Sequence, residues 1–207
     1  MFQSLIFSIT IFVAILTRPI VTPAPMVLSE ANYSLSNRYQ DSFVNSVFSD
    51  NILLTLAYMS GKVKKGKPIE WNKVKTSSVS KIILKPGQTF AFHDITLEKY
   101  KNKIALTTNA HFNYSEGFRS DGWLVGDGVC HLASFMYVVS KKAGLALEAP
   151  TRHDFAKIPD VEKEAGVSIF NTSASQNLYV TNNLSKTIAF IFTHEKNNLN
   201  IKVEQFN

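Results

Sequence analysis

Cys130 is the only thiol in the 207-residue chain. It follows Gly126-Asp127-Gly128-Val129 and precedes an apolar set (Leu132, Phe135, Met136, Val139, Ala143) spaced as one face of a helix. That spacing puts the sulfur in the first turn of the predicted helix. Unpaired N–H groups and the positive end of the helix dipole stabilise a thiolate there. A thiolate attacks carbonyl carbon, so the chemistry indicated is acyl transfer. The chain order supplies partners: His153 to take the thiol proton and return it to a leaving amine, and Glu164 to hold the imidazole tautomer. Backbone N–H groups around Val129 to His131 would stabilise an oxyanion. Gly126 and Gly128 line the opening beside the sulfur, and Trp123, His131 and Arg152 complete the candidate binding residues.

Each of these residues also has a structural reading. A lone Cys between Val129 and Leu132 is often packed in a core. Asp127 is placed to cap the helix, and a carboxylate three residues from the thiol raises its pKa. His153, between Arg152 and Asp154, reads as a loop histidine, and Glu164 ends a charged run that reads as solvated surface. His131 adjoins Cys130, but neighbours on a helix point about 100° apart. Phe112, Tyr114, Phe118 and Trp123 suit loop and core packing or a stacking surface for a glycan or peptide.

No metal site is expected. His93, His111, His131, His153 and His194 show no i, i+4 pair, and there is no Cys-x-x-Cys. Gly122 to Gly128 lacks the Lys-Ser/Thr of a phosphate loop, and no cofactor is implied.

The elements that must position these residues follow from periodicity. Apolar residues from Tyr39 to Met59 recur at near-helical spacing and predict one or two helices, ended by Gly61 to Gly66. Val79 to Leu84 and Thr89 to His93 predict strands around the turn Lys85-Pro86-Gly87-Gln88. Gly144 is placed to close the Cys-bearing helix in a left-handed conformation, with Lys141 and Lys142 in its last turn and a strand over Leu145 to Ala149. Val167 to Phe170, Asn177 to Thr181, Thr187 to His194 and Leu199 to Phe206 read as an antiparallel meander. The expected class is α+β, with the Cys-bearing helix packed on an antiparallel sheet.

Apolar residues make up 45% of the chain and aromatics 12%, a globular composition, and the net charge is +6. A mild positive charge favours anionic polymers or lipid head groups. The short run Lys62, Lys64, Lys65 and Lys67 reads as a solvated loop, so no nucleic-acid partner is expected. Leu5 to Leu16 is an unbroken apolar run followed by Arg18 and a Pro-rich stretch. Residues 1–27 therefore read as a signal peptide or membrane anchor helix, 28–45 as a polar linker and 46–207 as the domain. Export to the cell envelope is the expected address, with contact to the membrane through the N-terminal segment.

Four blocks resemble the VanW-like family, a bacterial family named for an accessory protein of vancomycin-resistance clusters. Ile83 to Phe92 (ILKPGQTFAF) is similar to its LKPGETFSFN turn, and Gly126 to Ser134 (GDGVCHLAS) to its GGGVCQVSS. Ala143-Gly144-Leu145 with Arg152-His153 is similar to AGL…ERH, and Leu178 to Asn183 with Thr187-Ile188-Ala189 to LRFRNNTDYPV. The chain departs where Asp127 replaces a glycine, His131 a Gln, Phe155 a second His and Glu164 an Asp. The resemblance implies a domain and a cell-envelope setting more than a reaction. Two functions are consistent with these residues. One is a non-catalytic module binding a wall component or an envelope protein. The other is a thiol-dependent hydrolase or transpeptidase-like enzyme using Cys130 and His153.

Overall fold

Residues 24–206 are described by the computed structural model. The apolar run Leu5 to Leu16 lies outside them. Among the described residues no helix is long and apolar enough to cross a membrane.

The main sheet grows from a hairpin of β7 (Ile188–Glu195) and β8 (Asn198–Gln205). In β8 every second side chain (Leu199, Ile201, Val203) is buried, the period of a strand with one face on a core. β1 (Met26–Ser34) pairs with the free edge of β8 and β2 (Ser78–Leu84) with that of β7, giving the antiparallel order β1-β8-β7-β2. A second sheet contains β3 (Thr89–Ala91), β4 (Ile104–Leu106), β5 (Ala146–Glu148) and β6 (Tyr179–Thr181) in the order β4-β3-β6-β5. Its β3–β4 pair is parallel and the other pairs antiparallel.

Helix α1 (Ser42–Met59) and the short α2 (Trp71–Lys75) precede β2. Asp41 caps α1, its carboxylate accepting from the Val44 amide at 3.0 Å. Helix α3 (Val129–Lys142) packs against β1 and β8 of the first sheet, β5 of the second, and α1. Its expected apolar face (Leu132, Phe135, Met136, Val139) is fully buried. Gly144 closes it at φ 73°, with the Gly144 and Leu145 amides bonded to the Lys141 and Ser140 carbonyls. The α+β class and the Cys-bearing helix on an antiparallel sheet are as expected.

Three expectations are corrected. Residues 28–45 are no polar linker. β1 supplies an edge of the main sheet, and α1 begins at Ser42. The inward side chains of β1 are Ser29, Ala31 and Tyr33, so its composition is polar although its face is packed. The Ser29 hydroxyl donates to the Val139 carbonyl at 2.7 Å, and Tyr33 stacks on Phe135 at 3.9 Å. The C-terminal strands do not form one meander. β6 pairs with β3 and β5, so the turn at Asn182 to Ser185 passes from one sheet to the other. Val167 to Phe170 is extended but belongs to neither sheet, its only bridge being Val167 to Arg152.

Buried Asn51 fastens α1 to the loop ahead of α3. Its amide donates to the carbonyls of Arg119 and Asp127, both at 2.9 Å, and its Oδ1 accepts from the Arg119 amide at 2.9 Å. Asn51→Ala strands the Arg119 amide and the Asp127 carbonyl, while the Arg119 carbonyl keeps the Gly126 amide, so it is expected to lower the unfolding free energy by about 2 kcal/mol. Urea denaturation measures this, and a loss under about 0.5 kcal/mol would show that the loop stands without the clamp.

Candidate functional site

Cys130 lies in the first turn of α3, at the floor of a cavity of about 400 Å³. Gly128 caps the helix at φ 94°, a region that favours glycine. A Cβ there would come within 2.4 Å of the Phe48 carbonyl oxygen, so the absence of a side chain lets the loop lie against α1. Gly126, also at positive φ, lines the same cavity. Asp127 is not the cap it was read as. Its side chain accepts from the Asp121 amide at 3.3 Å, and burial pushes its carboxyl up to about 6.

The sulfur is occupied. It donates to the Ile169 carbonyl at 3.8 Å and accepts from the Ile169 amide at 3.4 Å. Ser134, one turn on, accepts from the Val167 amide at 2.9 Å. The extended segment 167–170 therefore lies along the first two turns of α3, held by side chains where a strand would use backbone. Cys130 is partly exposed to the cavity, yet the dense surroundings of the sulfur push its thiol up to about 11. The Asp127 carboxylate raises it further, and the Ile169 amide bond only partly offsets this. The helix dipole does not overcome these effects, and the thiol is protonated at neutral pH.

His153 lines the same cavity and is buried, but no hydrogen bond joins it to Cys130 among the described residues. Its Nδ1 faces the Ala156 carbonyl at 3.0 Å, which makes Nδ1 the protonated nitrogen and leaves Nε2 as the lone-pair side. A backbone carbonyl thus does the orienting that Glu164 was expected to do. Glu164 is exposed, and only its backbone carbonyl is used, accepting from Arg152 at 2.9 Å. Arg152 is spent on that bond and does not line the cavity. Trp123 is 92% exposed on the loop before α3 and lies outside the lining too. Phe155, standing where the resemblance has a second His, packs on the His153 ring at 4.0 Å.

His131 is the sequence candidate the structure moves furthest. It is buried between Phe48, at 4.9 Å, and His153, at 6.4 Å, and lines the cavity floor. Burial, with Arg38 and His153 nearby, pulls its imidazole down to about 3, so it is neutral. Arg38 was missed altogether. Its side chain is fully buried, paired with Asp160 and lying 5.0 Å from the Phe135 ring centre, and it too lines the cavity. One signal could have marked it, because Arg38 is the only Lys or Arg between Arg18 and Lys62. The rim is apolar: Tyr39, Tyr114, Leu124, Phe155 and Phe170 are all more than half exposed at its mouth. Of the aromatics noted in the sequence, Phe112 and Phe118 are core and Tyr114 is rim. No group of three potential metal ligands occurs among the described residues.

The neutral, buried His131 has a pH consequence. Unfolded, it binds a proton below about 6.5. Folded, it resists protonation until about 3. The unfolded state therefore binds more protons between these values, so this group lowers stability as pH falls through them, by up to about 1.4 kcal/mol per unit. Asp127 acts with the opposite sign between its ordinary value and about 6. His131→Gln leaves Asp127 in place, so the difference between the two proteins isolates the imidazole. Urea unfolding from pH 6.5 to 4 should give the variant a signed slope of stability against pH lower by about one proton; equal slopes would mean that His131 ionises as freely folded as unfolded.

The family described as VanW like protein matches residues 72–204. No curated protein and no solved structure matches the chain. The matched span covers β2 to β7, all of α3 and the segment holding Cys130, while Arg38 and α1 lie ahead of it. By the extent of this match, over more than half of the chain, the chain belongs to the VanW-like family.

Proposed function

We propose that this protein is an exported, non-catalytic module of the cell envelope, and that it holds a wall component or a partner's peptide in the cavity over Cys130. The observation that carries this reading is the engagement of the sulfur with both backbone groups of Ile169, with a thiol pushed up to about 11. Such a sulfur builds the cavity wall and does not attack. Exposed apolar side chains gathered at one concave mouth are a binding surface in ordinary protein chemistry. The apolar run Leu5 to Leu16 supports an address outside the cytoplasm.

A second reading, the thiol enzyme, keeps one observation in its favour. The Ala156 carbonyl fixes His153 in the tautomer a general base needs, and the imidazole shares a cavity with Cys130. Iodoacetamide labelling separates the two. A thiol near 11 labels at pH 8 more than about 100-fold slower than a free cysteine, and its rate climbs about tenfold per pH unit up to pH 10. A rate plateau below about pH 8.5 would instead mark an activated nucleophile and overturn the non-catalytic reading.

Binding is tested by co-sedimentation of the full chain with purified cell-wall fragments. Cys130→Ser should sediment like the native protein, and Phe155→Ala combined with Phe170→Ala should bind at least about tenfold more weakly. If the native chain stays in the supernatant, a wall component is not the ligand.

A further inference from the structure

The cavity floor carries polar atoms with nothing to bond. His131 is 4% exposed, and its Nδ1 has no hydrogen-bond partner among the described residues. Arg38 is 1% exposed. Its terminal nitrogens go to Pro159, Asn37 and Asp160, and its Nε has no partner. Unmet groups buried to this degree cost more than an average hydrogen bond returns, and their clustering in a cavity marks a missing partner. Both residues line the same cavity at the tip of α3. There the Val129 and Leu132 amides are taken by Gly126 and Gly128, while those of Cys130 and His131 have no backbone acceptor among the described residues. The unmet N–H groups here (Arg38 Nε, the Cys130 and His131 amides and one nitrogen of the neutral His131 ring) outnumber the two imidazole lone pairs, one on His131 and one on His153 Nε2. What fits is an acceptor, and at a helix N-terminus beside a guanidinium it is an anionic one.

The charge balance limits the anion. Arg38 is already neutralised by Asp160, Lys157 lines the outer part of the cavity, and Asp127 is the acidic side chain in its lining. One negative charge is tolerated there better than two, which favours a carboxylate over a phosphate dianion. The rim of Tyr114, Phe155 and Phe170 suits an apolar or aromatic body attached to it.

We infer that the floor of this cavity receives the carboxylate of a ligand whose apolar body lies against the aromatic rim. The carboxylate oxygens accept from the first-turn amides of Cys130 and His131 and from the His131 ring, with the Arg38 guanidinium behind them. This inference rests on the reading of the cavity as a binding site and names what that site prefers.

The test is a titration of the full chain, followed by amide and aromatic NMR shifts, with N-acetylphenylalanine and, separately, its primary amide. The two probes share a body and differ in the charge, so no variant need fold. The carboxylate should bind at least about tenfold more tightly and move the Cys130 and His131 amide resonances. His131→Leu should abolish the preference, and His131→Gln, which keeps a donor, should retain it. Equal affinity of the two probes, with shifts confined to Tyr114, Phe155 and Phe170, would overturn the carboxylate floor and leave the binding cavity standing. No shift at floor or rim from either probe would overturn both. Glucuronate as a third titrant tells the source: binding with the same floor shifts puts the carboxylate on a sugar, and no binding puts it on a peptide end.

Discussion

Segment 167–170 has to lie extended across the first turns of α3, with a short antiparallel bridge to Arg152 on its other side but no strand on the side of the helix. Backbone amides in that position need acceptors, and an unpaired one costs about 1–3 kcal/mol. The Val167 amide finds the Ser134 hydroxyl, the Ile169 amide finds the Cys130 sulfur, and the Ser168 and Phe170 amides turn outward to Thr151 and Gln176. Two side chains one helical turn apart, at 130 and 134, thus serve as the missing strand. The position of Ile169, Phe170 and Asn171, which form one wall of the cavity, depends on that arrangement.

The same arrangement decides what the thiol can do. A sulfur that accepts from an amide is stabilised as a thiolate, so the Ile169 bond by itself would favour reactivity. It is outweighed because the bond requires Ile169 to cover the sulfur, and covering it removes the water that would solvate a charge. Asp127 adds a carboxylate to the neighbourhood, and Phe155 occupies the face of His153. Three of the places where this chain departs from the family pattern, at 127, 131 and 155, therefore fall on one cavity. A carboxylate, a neutral imidazole and a phenyl ring each disfavour a thiolate–imidazolium pair, and they leave a recess with hydrogen-bond donors at its floor and apolar side chains at its rim.

The sequence was legible where burial imposes a period. α3, β7 and β8 each present apolar residues at the spacing of their own geometry, and the structure has them within a residue or two of where that spacing puts them. β1 was not legible, because an edge strand whose inward residues are Ser29, Ala31 and Tyr33 draws its stability from the ladder to β8 and from a serine hydroxyl, neither of which leaves a hydrophobic pattern. The change of sheet at Asn182 to Ser185 was equally hidden. The buried Asn182 amide donates to the carbonyl of nearby Lys186 and to that of Leu84 at the end of β2, and this second contact comes from a distant part of the chain.

The site was half legible for a related reason. Cys130, the two glycines and His153 could be found because helix tips and turns constrain residue type locally. Arg38 reaches the cavity from the loop between β1 and α1, about ninety residues from Cys130 in sequence, and it is held there by the Asn45 side chain, the Pro159 carbonyl and Asp160. Glu164 failed as a partner for His153 because residues 163–165 form a tight turn that buries Ala165 and leaves Lys163 and Glu164 exposed, while the carbonyl of Ala156, invisible to any residue-type argument, reaches the imidazole first. Backbone groups supply most of the hydrogen bonding at this floor, from Ile169 to the sulfur, from Ala156 to the imidazole and from the helix tip to the open space above. A site built largely from main chain can keep its shape while its side chains change, which allows Asp127, His131 and Phe155 to stand in a VanW-like frame without disturbing it.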